Sequence, residues 1–217
     1  LFNDPKQVLV IPAFQLWRQC KEWKDCRTAN IKYMARTLNG LAEGIKQQRI
    51  TKFDPANPGG HGSTDYRKWF HQSIGGSILP IPCLQSNRYE PYVIIRYCQE
   101  IFPPYQSEFA GYGKNKVTWM MQVIASGFIF SQVGGAYLLH YPHLDSSSRQ
   151  HWNNGDKNHK LKEYKRGQVD KLYFAFKSWL KETIPVEQKR VSLCEDAQDD
   201  DSKLWIDPKL KKKKKEK

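Results

Sequence analysis

Apolar residues in this chain come in short runs, and the spacing between runs switches between strand and helix periods. Gln7-Val-Leu-Val-Ile-Pro-Ala-Phe14 is a run of strand length, stopped by Pro12, and reads as a buried strand. Tyr92 to Arg96, with Val93, Ile94 and Ile95 in a row, reads as another, because β-branched residues suit a pleated surface. Phe128 to Phe130 and Ala136 to His140 give two more. Between them lie helical patterns. Met34, Leu38, Leu41 and Ile45 predict a helix over residues 30–49, and Val117, Met120, Met121 and Ile124 predict one closed by Gly127. Val169, Leu172, Tyr173, Phe176 and Leu180 mark a last amphipathic helix ended by Pro185. Residues 54–63 are loop by composition, and Tyr66 to Phe70 form a short aromatic turn or helix. Strands alternating with helices predict an α/β fold. No apolar run approaches the about 18 residues of a membrane-spanning helix, and no signal-peptide pattern is present.

Charge divides the chain. The 217 residues carry a formal net charge of +13. Lys209, Lys211 to Lys215 and Lys217, offset by Glu216, supply six of these positive charges, so the rest of the chain holds +7. The expected organisation is one domain over 1–185 and a flexible charged tail over 186–217. Asp199-Asp200-Asp201 belongs to that tail, since no apolar strand precedes it. A lysine run can hold polyanions or an acidic membrane surface. Nucleic acid ranks last among such partners, because no nucleic-acid-binding motif accompanies the lysines. The five cysteines show neither CxxC nor zinc-finger spacing. Cys20 and Cys26 suit a local disulfide in an oxidising compartment, and the odd count leaves at least one thiol.

Three segments together carry a family resemblance: Val8-Leu-Val-Ile-Pro-Ala-Phe14; Arg88-Tyr-Glu-Pro-Tyr-Val93 leading to Phe109-Ala-Gly-Tyr-Gly-Lys-Asn-Lys-Val117; and Ala136-Tyr-Leu-Leu-His-Tyr-Pro-His143. In order and spacing they resemble the LARGE-type glycosyltransferases and the related beta-1,4-glucuronyltransferase. The resemblance covers roughly residues 7–145. It implies a GT-A fold, a Rossmann-like mixed sheet with flanking helices. It also implies a UDP-sugar donor (glucuronate or xylose), a glycan or glycoprotein acceptor, and a Mn²⁺ or Mg²⁺ ion. The family's Asp-x-Asp metal motif has no counterpart here, so the chain corresponds to the second half of that domain and is expected to be inactive alone. The implied setting is the Golgi lumen, with membrane attachment only through an anchor upstream of these residues. The alternative is a non-catalytic protein that holds glycans or polyanions on the same scaffold.

The resemblance also assigns candidate residues. His140 ends an apolar strand, where the family has a metal ligand; a histidine hydrogen-bonded at a strand end is the plainer role. His143 would support the diphosphate or orient His140, or serve as a loop residue. Gly111, Tyr112 and Gly113 form a tight loop entering a helix. Asn115 and Lys116 follow it, placed to bind sugar hydroxyls or a uronic carboxylate, with simple helix capping as the other role of Asn115. The GxGxxG nucleotide pattern is not met. By residue type, Glu90 and Glu108 could act as the base that takes the acceptor's proton, and Glu90 is better placed, at the start of a strand. Tyr112 and Trp69 are candidate sugar-stacking platforms, with core packing favoured for Trp69. His151 and His159 lie in polar sequence and carry no assigned role.

Overall fold

The computed structural model describes residues 4–72, 78–97, 100–111, 113–144, 146–149 and 159–197, with side chains in the last helix from residue 166 onward. The strands in chain order are β1 (Gln7–Ile11), β2 (Ala13–Leu16), β3 (Ile50–Lys52), β4 (Ile78–Ile81), β5 (Cys83–Leu84), β6 (Tyr92–Ile95), β7 (Ile129–Val133), β8 (Leu138–His140) and β9 (Ser192–Leu193). The helices are α1 (Cys26–Ile31), α2 (Leu38–Lys46), α3 (Pro58–His61), α4 (Tyr66–Phe70), α5 (Asn115–Ala125) and α6 (His159–Thr183).

The first apolar run makes two strands, because Pro12 has no N–H to give to a ladder. β1 lies parallel to β7 and antiparallel to β6, and β4 completes a four-stranded sheet in the order β4-β7-β1-β6. Past Pro12, β2 lies between β3 and β8, antiparallel to the first and parallel to the second. The β7–β8 connection turns at the same level, with Gly135 at φ 75°, and the Leu138 N–H donates to the Pro12 carbonyl at 3.0 Å. Two mixed sheets therefore follow one another along a shared pair of chain segments.

Core burial follows from this arrangement. Val8, Leu9 and Val10 are all buried, as both faces of a central strand are covered. Trp119, Met120, Val123 and Ile124 of α5 pack with Val8, Val10, Phe128 and Phe130. Phe14, Leu16, Leu41, Ile50 and Trp69 form a second cluster. Trp69 is 2% exposed and its indole N–H donates to the Val133 carbonyl at 2.8 Å, so it is a core residue. Phe109 and Val117 pack against Tyr173 and Phe176 of α6.

The helix expected over 30–49 is instead α1 and α2 with a turn between them. Thr37 is extended, and its hydroxyl accepts the Gly40 N–H at 3.1 Å, which starts α2 there. The Tyr137 hydroxyl donates to the carbonyls of Ala35 and Thr37, holding the turn open. The 54–63 loop contains one helical turn, α3, with Pro58 in its first turn and the Asn57 side chain accepting the Gly60 N–H.

Packed chain also continues past Pro185. Val191 is 4% exposed within the main cluster, β9 pairs with β5, and a disulfide joins Cys83 to Cys194. Gly127, at φ 81°, ends α5 where a Cβ would meet the Gln188 carbonyl at 2.4 Å. The domain thus extends beyond residue 185, because a two-residue strand and a cystine leave no periodic pattern to read. Asp199–Asp201 and the lysine run lie outside the described residues, as do Tyr112, Cys98 and His151. The expected Cys20–Cys26 disulfide is present.

Candidate functional site

A cleft of about 460 Å³ opens where the loop after β3, the approach to β6 and the start of α5 meet. Its wall includes Asp54, Asn57, Arg88 and Glu90 from the first two, and Gly111, Gly113, Lys114, Asn115 and Lys116 from the third. Hydrogen bonds and backbone geometry hold each part in place. Asp54 takes φ 44°, and its N–H donates to the Gln15 side chain of β2 at 2.9 Å. The Glu90 N–H donates to the Gly60 carbonyl at 2.8 Å, tying the entry of β6 to α3. Gly111 and Gly113 take φ 89° and 113°, which only glycine adopts freely. Asn115 spans that turn, donating to the Gly111 carbonyl at 3.3 Å and accepting the Lys116 N–H at 2.8 Å. Asn115 is the first residue of α5, one past the cap position Lys114, and it makes these contacts on the cleft wall. Lys114 pairs with the buried Asp170 of α6, and its ammonium lies 4.3 Å from the Tyr173 ring centroid.

The cleft's electrostatics centre on Glu90. Burial raises its pKa above the usual carboxylate value, and the Asp54 charge raises it further, while Lys116 and Arg88 pull it back. A carboxylate kept short of full stabilisation beside two cations is suited to taking up a proton. Lys116 also sits over the Tyr92 ring, 5.4 Å from its centroid.

His140 and His143 stand together but do not line this cleft. Their Nε2 atoms are 3.2 Å apart, and His143 Nδ1 lies 2.7 Å from the Leu144 carbonyl. The carbonyl requires the His143 proton on Nδ1, so a neutral His143 accepts a hydrogen bond from His140 Nε2. Burial lowers the His140 pKa, with His143 and Arg149 adding to the effect, which keeps it in the neutral form a metal requires. Phe53 bridges the pair to the cleft: its ring lies 5.0 Å from His140, 4.9 Å from His61 and 5.8 Å from Tyr92. Among the described residues no group of three or more His, Cys, Asp and Glu is placed to hold a metal. With both His143 nitrogens engaged, His140 is the imidazole of the pair that could offer a metal a nitrogen, and carboxylates for such a site would have to come from elsewhere.

The structure thus gathers Glu90, Gly111, Gly113, Asn115 and Lys116 in one cleft, and sets His140 and His143 one ring away. Glu108 is exposed and not among the residues that line the cleft. Asp54, Asn57, Arg88, Lys114 and His61 were not singled out from sequence. For Asp54, Asn57 and His61 the signal was a loop rich in Pro, Gly and polar residues, where a fold places function but where composition does not say which side chain turns inward.

His61 is 6% exposed, and burial together with the Lys116 charge lowers its pKa to about 4. In the unfolded chain it binds a proton near the ordinary value of 6.5. Below that value the unfolded state holds the extra proton, so stability falls as pH drops from about 6.5 towards 4, by up to about 3 kcal/mol. Urea melts at pH 7.5 and 4.5 are expected to show this slope in the wild type and less of it in His61→Phe. Equal slopes in both proteins would assign the acid sensitivity to other groups.

A family model described as "Glycosyl-transferase for dystroglycan" matches residues 2–174. The chain belongs to this family. The matched span contains every cleft residue named above, together with His140 and His143. Within the dystroglycan glycosyltransferase family and around it, the chain is 30% identical over 148 residues to the xylosyl- and glucuronyltransferase LARGE1 of Danio rerio, covering 66% of this chain and 17% of that protein. It is 36% identical over 90 residues to LARGE2 of Mus musculus, covering 41% and 12%. It is 28% identical over 148 residues to the glycosyltransferase-like protein gnt14 of Dictyostelium discoideum, covering 66% and 20%. The chain therefore spans a fifth or less of the length of these relatives.

Proposed function

We propose that the chain is the acceptor-side half of a LARGE-type glycosyltransferase with a GT-A core, transferring glucuronate or xylose from a UDP-sugar to a glycan. The observation that carries this reading is the cleft itself, with Glu90 half-buried beside Lys116 and Arg88 at the entry to a strand. In the transfer, an acceptor hydroxyl forms a bond to the anomeric carbon of the donor, and the bond from that carbon to UDP breaks. Glu90 takes the hydroxyl's proton as the new bond forms. Lys116 and Arg88 hold the acceptor's polar groups or a uronic carboxylate, and the glycine loop lets the backbone approach the sugar. A bound Mn²⁺ or Mg²⁺ would neutralise the charge on the departing diphosphate. His140 would be its nitrogen ligand, and His143 would orient His140 through their contact. The parallel β1–β7 and β2–β8 pairs support a Rossmann-like core. Two disulfides support an oxidising compartment such as the Golgi lumen. No helix among the described residues is long and apolar enough to cross a membrane.

The test is a chimera in which residues 2–197, which keep α6 whole and both disulfides intact, replace the corresponding segment of the Danio rerio relative, assayed for sugar transfer across a Mn²⁺ titration. The folded chimera should transfer sugar. His140→Ala should slow transfer and raise the Mn²⁺ needed for half activity at least several-fold, with the melting temperature little changed. His143→Ala should do the same more weakly. A chimera that folds and binds acceptor glycan but never transfers would favour a non-catalytic binding module. Full activity of His140→Ala at unchanged Mn²⁺ would remove the ligand assignment.

A further inference from the structure

We propose that the outer face of α6 is a second binding track for an acidic, uronate-bearing glycan chain, continuing the cleft along the protein surface. This rests on reading the cleft as a glycan-acceptor site. The inner face of α6 is used by the fold: Tyr173 and Phe176 are buried against Phe109 and Val117. The outer face carries Lys171, Phe174, Ser178 and Lys181, all exposed. They fall at i, i+3, i+7 and i+10, a single stripe of the helix. Phe174 is 45% exposed between the two lysines and contributes to none of the three apolar clusters. Among the described side chains of α6, the exposed carboxylate is Glu182, at the far end of the stripe.

Continuity with the cleft runs through one ring. Tyr173 lines the cleft, carries the Lys114 ammonium, and lies 5.9 Å from the Phe174 ring. Phe174 is thus the exposed ring next to the cleft wall, with Lys171 and Lys181 on either side of it along the helix. The chemistry suits such a glycan at each point. An aromatic face packs on the C–H face of a sugar ring, and an ammonium pairs with a uronate. Lys171 and Lys181 are ten residues apart, about 15 Å along the axis, so the stripe accommodates several sugars.

A membrane surface is the other anionic occupant, and the helix is poorly built for it. The apolar face that would enter lipid is already in the core. The exposed aromatics Phe174 and Trp179 are five residues apart and so lie about 140° from each other around the helix.

The test uses residues 1–217 and four probes by calorimetry: a glucuronate-containing hexasaccharide, the matching disaccharide, a neutral xylo-hexasaccharide and phosphatidylserine vesicles. The hexasaccharide should bind more tightly than the disaccharide, and the neutral sugar should bind weakest. Lys171→Glu with Lys181→Glu should weaken hexasaccharide binding roughly tenfold at low salt and flatten its salt dependence. Lys171→Gln with Lys181→Gln should do so less, and none of these should alter disaccharide binding. Phe174→Ala should weaken the hexasaccharide about threefold without changing the salt dependence. Hexasaccharide binding that survives the charge reversal overturns the track. Vesicle binding lost on reversal, with no hexasaccharide binding, overturns it in favour of a membrane. Lys116→Ala reports separately on the cleft: if it leaves the disaccharide's affinity intact, the cleft reading fails whatever the track does.

Discussion

Replacing Cys83 and Cys194 together by serine should lower stability by about 5 kcal/mol, whereas the same change at Cys20 and Cys26 should cost about 2 kcal/mol. The two disulfides close loops of very different length, with sequence separations of 111 and 6. A cross-link restricts the unfolded chain more when the loop it closes is longer. The long bridge also holds a segment with few other ties. The β5–β9 pair is two residues long, and Val191 is the buried anchor of that segment in the main cluster. Without the bridge, β9 can leave the edge of β5, and Val191 is then exposed. For a domain of this size the expected loss corresponds to a fall in melting temperature on the order of 10–20 °C. Differential scanning calorimetry on both serine pairs checks it. A long-bridge variant that melts within a few degrees of the wild type would show that packing of 186–194 is sufficient alone.

That segment also shows why part of the fold was hidden in the sequence. Val8 to Phe14 and the Val117, Met120, Met121, Ile124 series were legible because each repeats at the period of its element. Val191-Ser-Leu-Cys194 is too short to show any period, and the cysteine that fixes it lies 111 positions away. The helix over 30–49 was misread for a related reason. Met34 and Leu38 share the spacing of one helix face, yet Thr37 starts a new helix because its hydroxyl offers a cap that the preceding turn cannot. Pro12 was read as a stop, and it is more than that. It marks the level at which both parallel segments step from one sheet to the next.

The candidate site was legible where chemistry and local backbone coincide. Gly111, Gly113, Asn115 and Lys116 sit on one loop and helix start, so their proximity follows from the sequence itself. Glu90 reaches them only through the tertiary fold, and Asp54 and Arg88 become visible only as its neighbours. Nothing in the residues around Asp54 announces that its charge would bear on Glu90. His61 was part of a loop by composition, whereas the Asn57 cap and Pro58 turn it into a helix and bury the imidazole against Phe53. Tertiary contact between distant loops, and not local propensity, makes this cleft.

Glu90→Gln should therefore separate function from stability. In the chimera the loss of the proton acceptor should lower transfer by roughly 10²–10⁴-fold, with acceptor binding largely retained because glutamine keeps the shape and one hydrogen-bond acceptor. Stability should move the other way. The Glu90 pKa is raised in the fold, mainly by burial. The unfolded chain releases this proton at a lower pH than the native chain does, so the ionised side chain destabilises the fold as pH rises above the ordinary carboxylate value. Glutamine carries no charge to desolvate. The variant should be more stable than the wild type at pH 7–8 and equal to it near pH 3, where Glu90 is protonated in both states. Asp54→Asn adds a check on the cause. Removing the charge that raises the Glu90 pKa should move the acid limb of the rate profile to lower pH, while Glu90→Gln should abolish that limb. Chemical denaturation across pH and the pH dependence of transfer measure both effects. Transfer by Glu90→Gln at more than about a third of the wild-type rate would show that another group takes the proton.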